Sequence, residues 1–68
     1  MKMTINEREF NIYKTSEHGV LLTYIDKQLE REYVLIRNVL TTKVLVERLE
    51  RYATMSLNEL RNLAPEEL

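Results

Sequence analysis

Sixty-eight residues with ten Lys and Arg against eleven Asp and Glu, a formal net charge of −1, no cysteine and one histidine leave room for one core and no second domain. Disulfides, thiolate zinc sites and any zinc site built from several histidines of one chain are excluded. So is a strong basic excess: residues 1–40 carry six basic and six acidic side chains, and residues 41–68 carry four and five, unlike a typical nucleic-acid binder.

A chain this short buries only about 60% of the surface that its unfolded form exposes. Small domains make up the deficit with disulfides, a metal or oligomerisation, and only self-association or docking on a partner remains open here. One Gly and one Pro argue against disorder and long loops. No apolar run approaches the ~20 residues that a helix needs to cross a bilayer. Met1-Lys2-Met3 leads into polar residues rather than a signal-peptide core, so a cytoplasmic protein without a cofactor is expected.

The opening residues alternate with period two, Met1, Met3 and Ile5 on one face and Lys2 and Thr4 on the other. Phe10 and Ile12 fall at even positions, and a tight turn at Asn6-Glu7 reconciles the two parities by setting Met3 opposite Phe10 and Met1 opposite Ile12. Asn6 tolerates the positive φ that such a turn requires. Ser16-Glu17-His18-Gly19 reads as the next turn, a three-residue loop with Gly19 left-handed and Ser16 opposite Val20. Ile12, Val20, Leu22 and Tyr24 then join Phe10 on one face. Asp26-Lys27-Gln28 begins a third reversal, after which Tyr33-Val34-Leu35-Ile36 is strand-like, its unbroken apolar run predicting cover on both faces or a place at an interface.

Beyond Asn38 the period becomes helical. Leu45, Leu49, Tyr52 and Ala53, with Val46, form one stripe after an N-cap at Thr41 or Thr42. Ser56 and Glu59 have capping-box spacing, with Met55 and Leu60 placed as the hydrophobic staple, so a second helix is expected at Ser56 in preference to one kinked helix from Thr42 to Leu63. Leu57, Leu60 and Leu63 give it an apolar stripe, and Pro65 biases Ala64 out of the helical region. The expected architecture is one α+β domain. A small antiparallel meander sheet of three to four strands occupies residues 1–39, one or two helices in residues 41–64 pack on one of its faces, and residues 65–68 form a short tail.

The side chains offer little to catalysis. His18, the one group that titrates near neutrality, sits beside Gly19 in a turn with no orienting partner apparent. Asp26, Glu30 and Glu32 near the third turn, and Glu47 and Glu50 on the helix, read as solvated charges, Glu47 pairing with Arg51 four residues on. The single glycine rules out multi-glycine phosphate loops.

Two binding readings remain. Lys43, Arg48, Arg51 and Arg61, with Tyr13 and Tyr33 on a sheet face, are the candidate contacts of a dimeric nucleic-acid-binding regulator. Glu47, Glu50 and Glu59 interleave with those cations and cancel much of their field. The favoured reading is a non-enzymatic protein-interaction module: an inhibitor, adaptor or accessory subunit that is itself a homodimer. Its candidate interface is Val34, Ile36, Leu45, Leu49 and Tyr52, more apolar surface than one small monomer is expected to bury.

Overall fold

The computed structural model describes residues 1–15 and 19–68. Its elements are β1 (Lys2–Ile5), β2 (Arg8–Lys14), β3 (Val20–Asp26), β4 (Arg31–Val39), α1 (Thr42–Thr54), α2 (Leu57–Arg61) and β5 (Glu66–Glu67). The sheet runs in the order β1-β2-β3-β4-β5, antiparallel through β4, with β5 parallel to β4. The α+β class is as the sequence predicts, with one more strand than expected. Residues 65–68 are not a free tail: Glu66 and Glu67 pair with Ile36 and Arg37, and the Leu68 N–H donates to the Arg37 carbonyl.

The first hairpin has the register that parity demands, Met3 opposite Phe10, with Met1 and Ile12 exchanging backbone hydrogen bonds. Asn6 and Glu7 take φ of 54° and 65°, the paired left-handed conformation of a type I′ turn, whose twist matches that of the strands. The second hairpin keeps even residues opposite even ones but slides by two from expectation, pairing Lys14, not Ser16, with Val20. Ser16, Glu17 and His18, and with them the predicted three-residue turn, lie outside the described residues. Gly19 does not show the left-handed φ expected of it; what favours glycine there is space, since a Cβ would stand 3.2 Å from the Asn38 Cα of β4.

β4 explains the four-residue apolar run differently from the sequence reading. Thr23 pairs with Val34 but Leu22 with Ile36, so Leu35 is an extra residue in the ladder, and a second irregularity precedes Val39, where Asn38 has φ 61°. At such a bulge two successive side chains turn to the same side. Leu35 and Ile36 are accordingly both buried, while Val34 takes the opposite face half-exposed.

The core lies between one sheet face and the two helices. Phe10, Leu22, Tyr24, Leu35, Ile36 and Val39 from the sheet form one cluster with Leu49, Tyr52, Ala53 and Leu60. α1 begins at the expected N-cap, where the Thr41 hydroxyl accepts from the Val44 N–H. Its stripe is narrower than predicted, for Leu45 is half-buried and Val46 is 48% exposed on the solvent side. The last turn is closed from the sheet: the Asn6 amide donates to the Ala53 carbonyl at 2.9 Å, and the Arg8 guanidinium donates to the Tyr52 carbonyl at 2.7 Å and to that of Met55. Those carbonyls would otherwise lack partners, and a cation is favoured at a helix C-terminus.

Met55 and Ser56 are extended, and the Ser56 hydroxyl accepts from the Glu59 N–H at 3.2 Å, so there are two helices. Ser56→Ala is expected to lower stability by about 1 kcal/mol through loss of that cap, read as a shift of the urea midpoint. A neutral result would show that packing of Leu60 alone sets the start of α2.

Candidate protein-interaction surface

Alternation along the strands divides the sheet. The face opposite the core carries three rows across the strands: Tyr13 and Leu21; Lys2, Asn11, Thr23 and Val34; and Thr4, Glu9, Ile25 and Glu32. Arg37 follows the inward Ile36 and extends the first row on β4. Neither helix contributes to this face, because their buried apolar residues belong to the core cluster on the other side. Leu21, Ile25 and Val34 remain half-buried and Tyr13 is 40% exposed.

Thr23 breaks the pattern, at 2% exposure on an open face. Tyr13 on β2 and Glu32 on β4 explain it by meeting diagonally across β3 above Thr23. The Tyr13 hydroxyl donates to Glu32 Oε2 at 2.5 Å and the Thr23 hydroxyl donates to the same oxygen at 2.6 Å. Donation by these hydroxyls, Thr23 first, holds the Glu32 carboxyl below its ordinary value, and the bond to Glu32 pushes the Tyr13 phenol up. This strap fixes the two side chains in advance, so a partner would order little on binding. Glu32 makes no ion pair among the described residues, and neither does Arg37, whereas Glu9 is held by Lys27 at 3.2 Å and Lys2 at 4.0 Å.

The residues predicted for an interface separate. Ile36, Leu49 and Tyr52 are consumed by the monomer core; Val34 stands on the open sheet face and Leu45 at the edge of α1. The cations predicted for nucleic acid are largely committed. Arg48 bonds Glu66 at 2.9 Å and also pairs with Glu47, Arg51 bonds Glu47 at 2.9 Å as its spacing predicts, and Arg61 pairs with Asp26. Lys43 is exposed on α1 without an ion pair among the described residues. Tyr33 is half-buried on the core face, stacked on Tyr24 with ring centroids 6.4 Å apart.

A cleft of about 470 Å³ opens at the end of the sheet where the first hairpin meets the β3–β4 turn, its lining including Arg8, Glu9, Asp26 and Lys27. Its charges serve the fold. Asp26, 1% exposed, takes Arg61 Nε at 2.5 Å and the Leu29 N–H at 3.1 Å, closing the Lys27–Glu30 turn and anchoring α2. The Arg61 bond, outweighing burial, holds the Asp26 carboxyl below its usual range. Tyr52 and Glu66 are likewise tied: burial and the bond to Glu66 push the phenol up, and that bond pulls the carboxyl down. Sequence reasoning singled out Asp26 as a turn residue but missed its partner Arg61, which stands 35 residues on and meets it only once α2 has packed against the sheet.

Among the described residues no group of three or more His, Cys, Asp or Glu is placed to hold a metal, and no helix is long and apolar enough to cross a membrane. Comparison with protein-family models, with curated proteins and with solved structures finds no match to this chain.

Proposed function

We propose that the protein is a non-enzymatic interaction module that works by occupying another protein's surface with the open face of its sheet. The observation that carries this reading is the sheet face left uncovered by either helix, where Leu21, Ile25 and Val34 flank the Tyr13–Glu32 hydrogen bond that crosses Thr23, with Arg37 at its border. Half-exposed apolar residues beside an aromatic anchor and fixed charges are what protein interfaces draw on. An inhibitor, adaptor or accessory subunit has this form. The rival reading, a dimeric nucleic-acid-binding regulator, loses support because Arg48, Arg51 and Arg61 are neutralised by carboxylates within the fold.

The test is capture of partners from the native host with the wild-type chain and with Val34→Glu, which buries a charge in any interface on this face while leaving the core untouched. Loss of the captured proteins in the variant is expected. Equal capture by both chains, or salt-sensitive binding of mixed DNA and RNA at micromolar protein, overturns the proposal.

A further inference from the structure

We infer that the cleft between the first hairpin and the β3–β4 turn binds a carboxylate, held by the Arg8 guanidinium and the Tyr24 hydroxyl. The site lies at the end of the sheet, away from the open face, and stands or falls apart from the proposed function.

Tyr24 is only 6% exposed, its ring flanked by those of Phe10 and Tyr33, yet its hydroxyl makes no hydrogen bond among the described residues. No fully buried polar side-chain atom among those residues lacks a partner, so this oxygen reaches open space. The space that Tyr24 borders is the cleft of about 470 Å³. A phenol fixed by a buried ring and left without a partner is a donor aimed at a ligand.

Arg8 lines the same cleft. Its Nη1 donates to the Tyr52 and Met55 carbonyls at the end of α1, which fixes the guanidinium plane. Nε and Nη2 donate to nothing among the described residues, and Arg8 makes no ion pair there, although Glu7 and Glu9 share the cleft wall. Those two nitrogens form an edge that grips a carboxylate through two parallel bonds. The side chain is half-buried, so a counter-ion gains more there than at the open surface. Arg8 and Tyr24 also converge: Phe10 pairs with Tyr24, and Arg8, two residues from Phe10 on the same face, is the diagonal neighbour of Tyr24.

The remaining lining selects the ligand. Ile25 and Leu57 give an apolar wall for a short aliphatic group. Glu7 and Glu9 stand at the rim, only Glu9 having a cation, Lys27, at 3.2 Å. Their repulsion falls twice as heavily on a dianion such as phosphate as on a single carboxylate. A monoanion with a small apolar group fits, whether a free aliphatic acid or the C-terminal residue of a peptide.

Heteronuclear NMR of the full chain, titrated with isobutyrate, acetyl-leucine and acetyl-leucinamide, gives the test. Both acids should move the Arg8 Nε–H and Tyr24 ring signals saturably, with a dissociation constant on the order of 1 mM. The amide lacks the charge and should move neither. Tighter binding of acetyl-leucine marks a chain terminus as the ligand, and equal or tighter binding of isobutyrate marks a free acid. Tyr24→Phe removes only the hydroxyl and should weaken both acids about tenfold, the loss of one hydrogen bond to a charged group. Arg8→Lys keeps the charge but loses the two-pronged edge, and should weaken them at least as much. Because Arg8 also closes α1, circular dichroism checks that variant, and Tyr24→Phe decides alone if it fails to fold. The inference is overturned by acids that give no saturable shift up to about 50 mM, far above the expected constant. Acetyl-leucinamide binding as well as acetyl-leucine, or Tyr24→Phe binding as wild type does, overturns it equally.

Discussion

Arg61→Ala is expected to lower the thermal midpoint by about 12–24 °C at pH 7. Stranding the Asp26 carboxylate away from water costs about 3 kcal/mol, the low end of the range for a broken buried pair because Arg61 itself is partly exposed. In a domain of this size each kcal/mol moves the midpoint by about 4–8 °C. The pH dependence identifies the cause. In the wild type the folded carboxyl titrates below its unfolded value, so its contribution is complete above about pH 4 and is lost only as the pH falls through the folded value. In the variant the bond from Arg61 is gone and burial is opposed only by the Leu29 and Gln28 N–H groups, so the folded value rises from its wild-type position. The carboxylate then contributes less to folding at neutral pH, and the gap between the two proteins should narrow as acid protonates it. Melting curves taken from pH 7 down into the carboxylate range should therefore converge. Parallel curves would show that the pair contributes nothing and that Asp26 is held by its turn.

Phe10→Ala is expected to leave the chain largely unfolded at 25 °C. Phe10 has no exposed surface, lies between Met3 and Tyr24 in the sheet, and packs its ring 5.8 Å from that of Tyr24. Truncating a buried phenylalanine costs about 3–5 kcal/mol, and a domain of 68 residues holds about 3–10 kcal/mol in all. Far-ultraviolet circular dichroism and amide exchange should show the loss. Val46→Ala, at a site 48% exposed, should leave both signals as in the wild type. Equal stability of the two variants would refute the placement of Phe10 at the centre of the core.

What the sequence revealed follows from how local each signal is. The first hairpin was legible because two parities and one residue tolerant of positive φ meet across two turn positions. The break before α2 was legible because Ser56 and Glu59 stand at capping distance. β5 was not: Pro65-Glu66-Glu67 has no apolar alternation, and its pairing comes from β4 backbone groups together with Tyr52 and Arg48, which grip Glu66 from α1. The bulge at Leu35 was hidden for a related reason. An unbroken apolar run describes a strand buried on both faces as well as one whose alternation is reset by an extra residue, and only the partner strand distinguishes them. For the candidate surface, Val34 was named from that run, but Ile36, Leu49 and Tyr52 were drawn into the core by the bulge and by the helix face. Leu21 and Ile25 were passed over because their exposed side emerges only once the helices have chosen the other face.

The two-residue β5 also decides how the edge of the sheet responds to acid. It completes the edge of β4 through the Ile36–Glu66 and Arg37–Glu67 pairs; Glu67 accepts from the Asn38 amide at 3.4 Å, and the stronger side-chain anchor is Glu66, which takes the Tyr52 hydroxyl at 2.7 Å and Arg48 Nε at 2.9 Å. The folded Glu66 carboxyl titrates below its unfolded value, so this anchor is intact at neutral pH and weakens as acid protonates it through the folded value. Once the segment lifts, the β4 edge is left with unpaired backbone groups, so the carboxylate of Glu66 acts as an acid-sensitive latch on the cover of that edge.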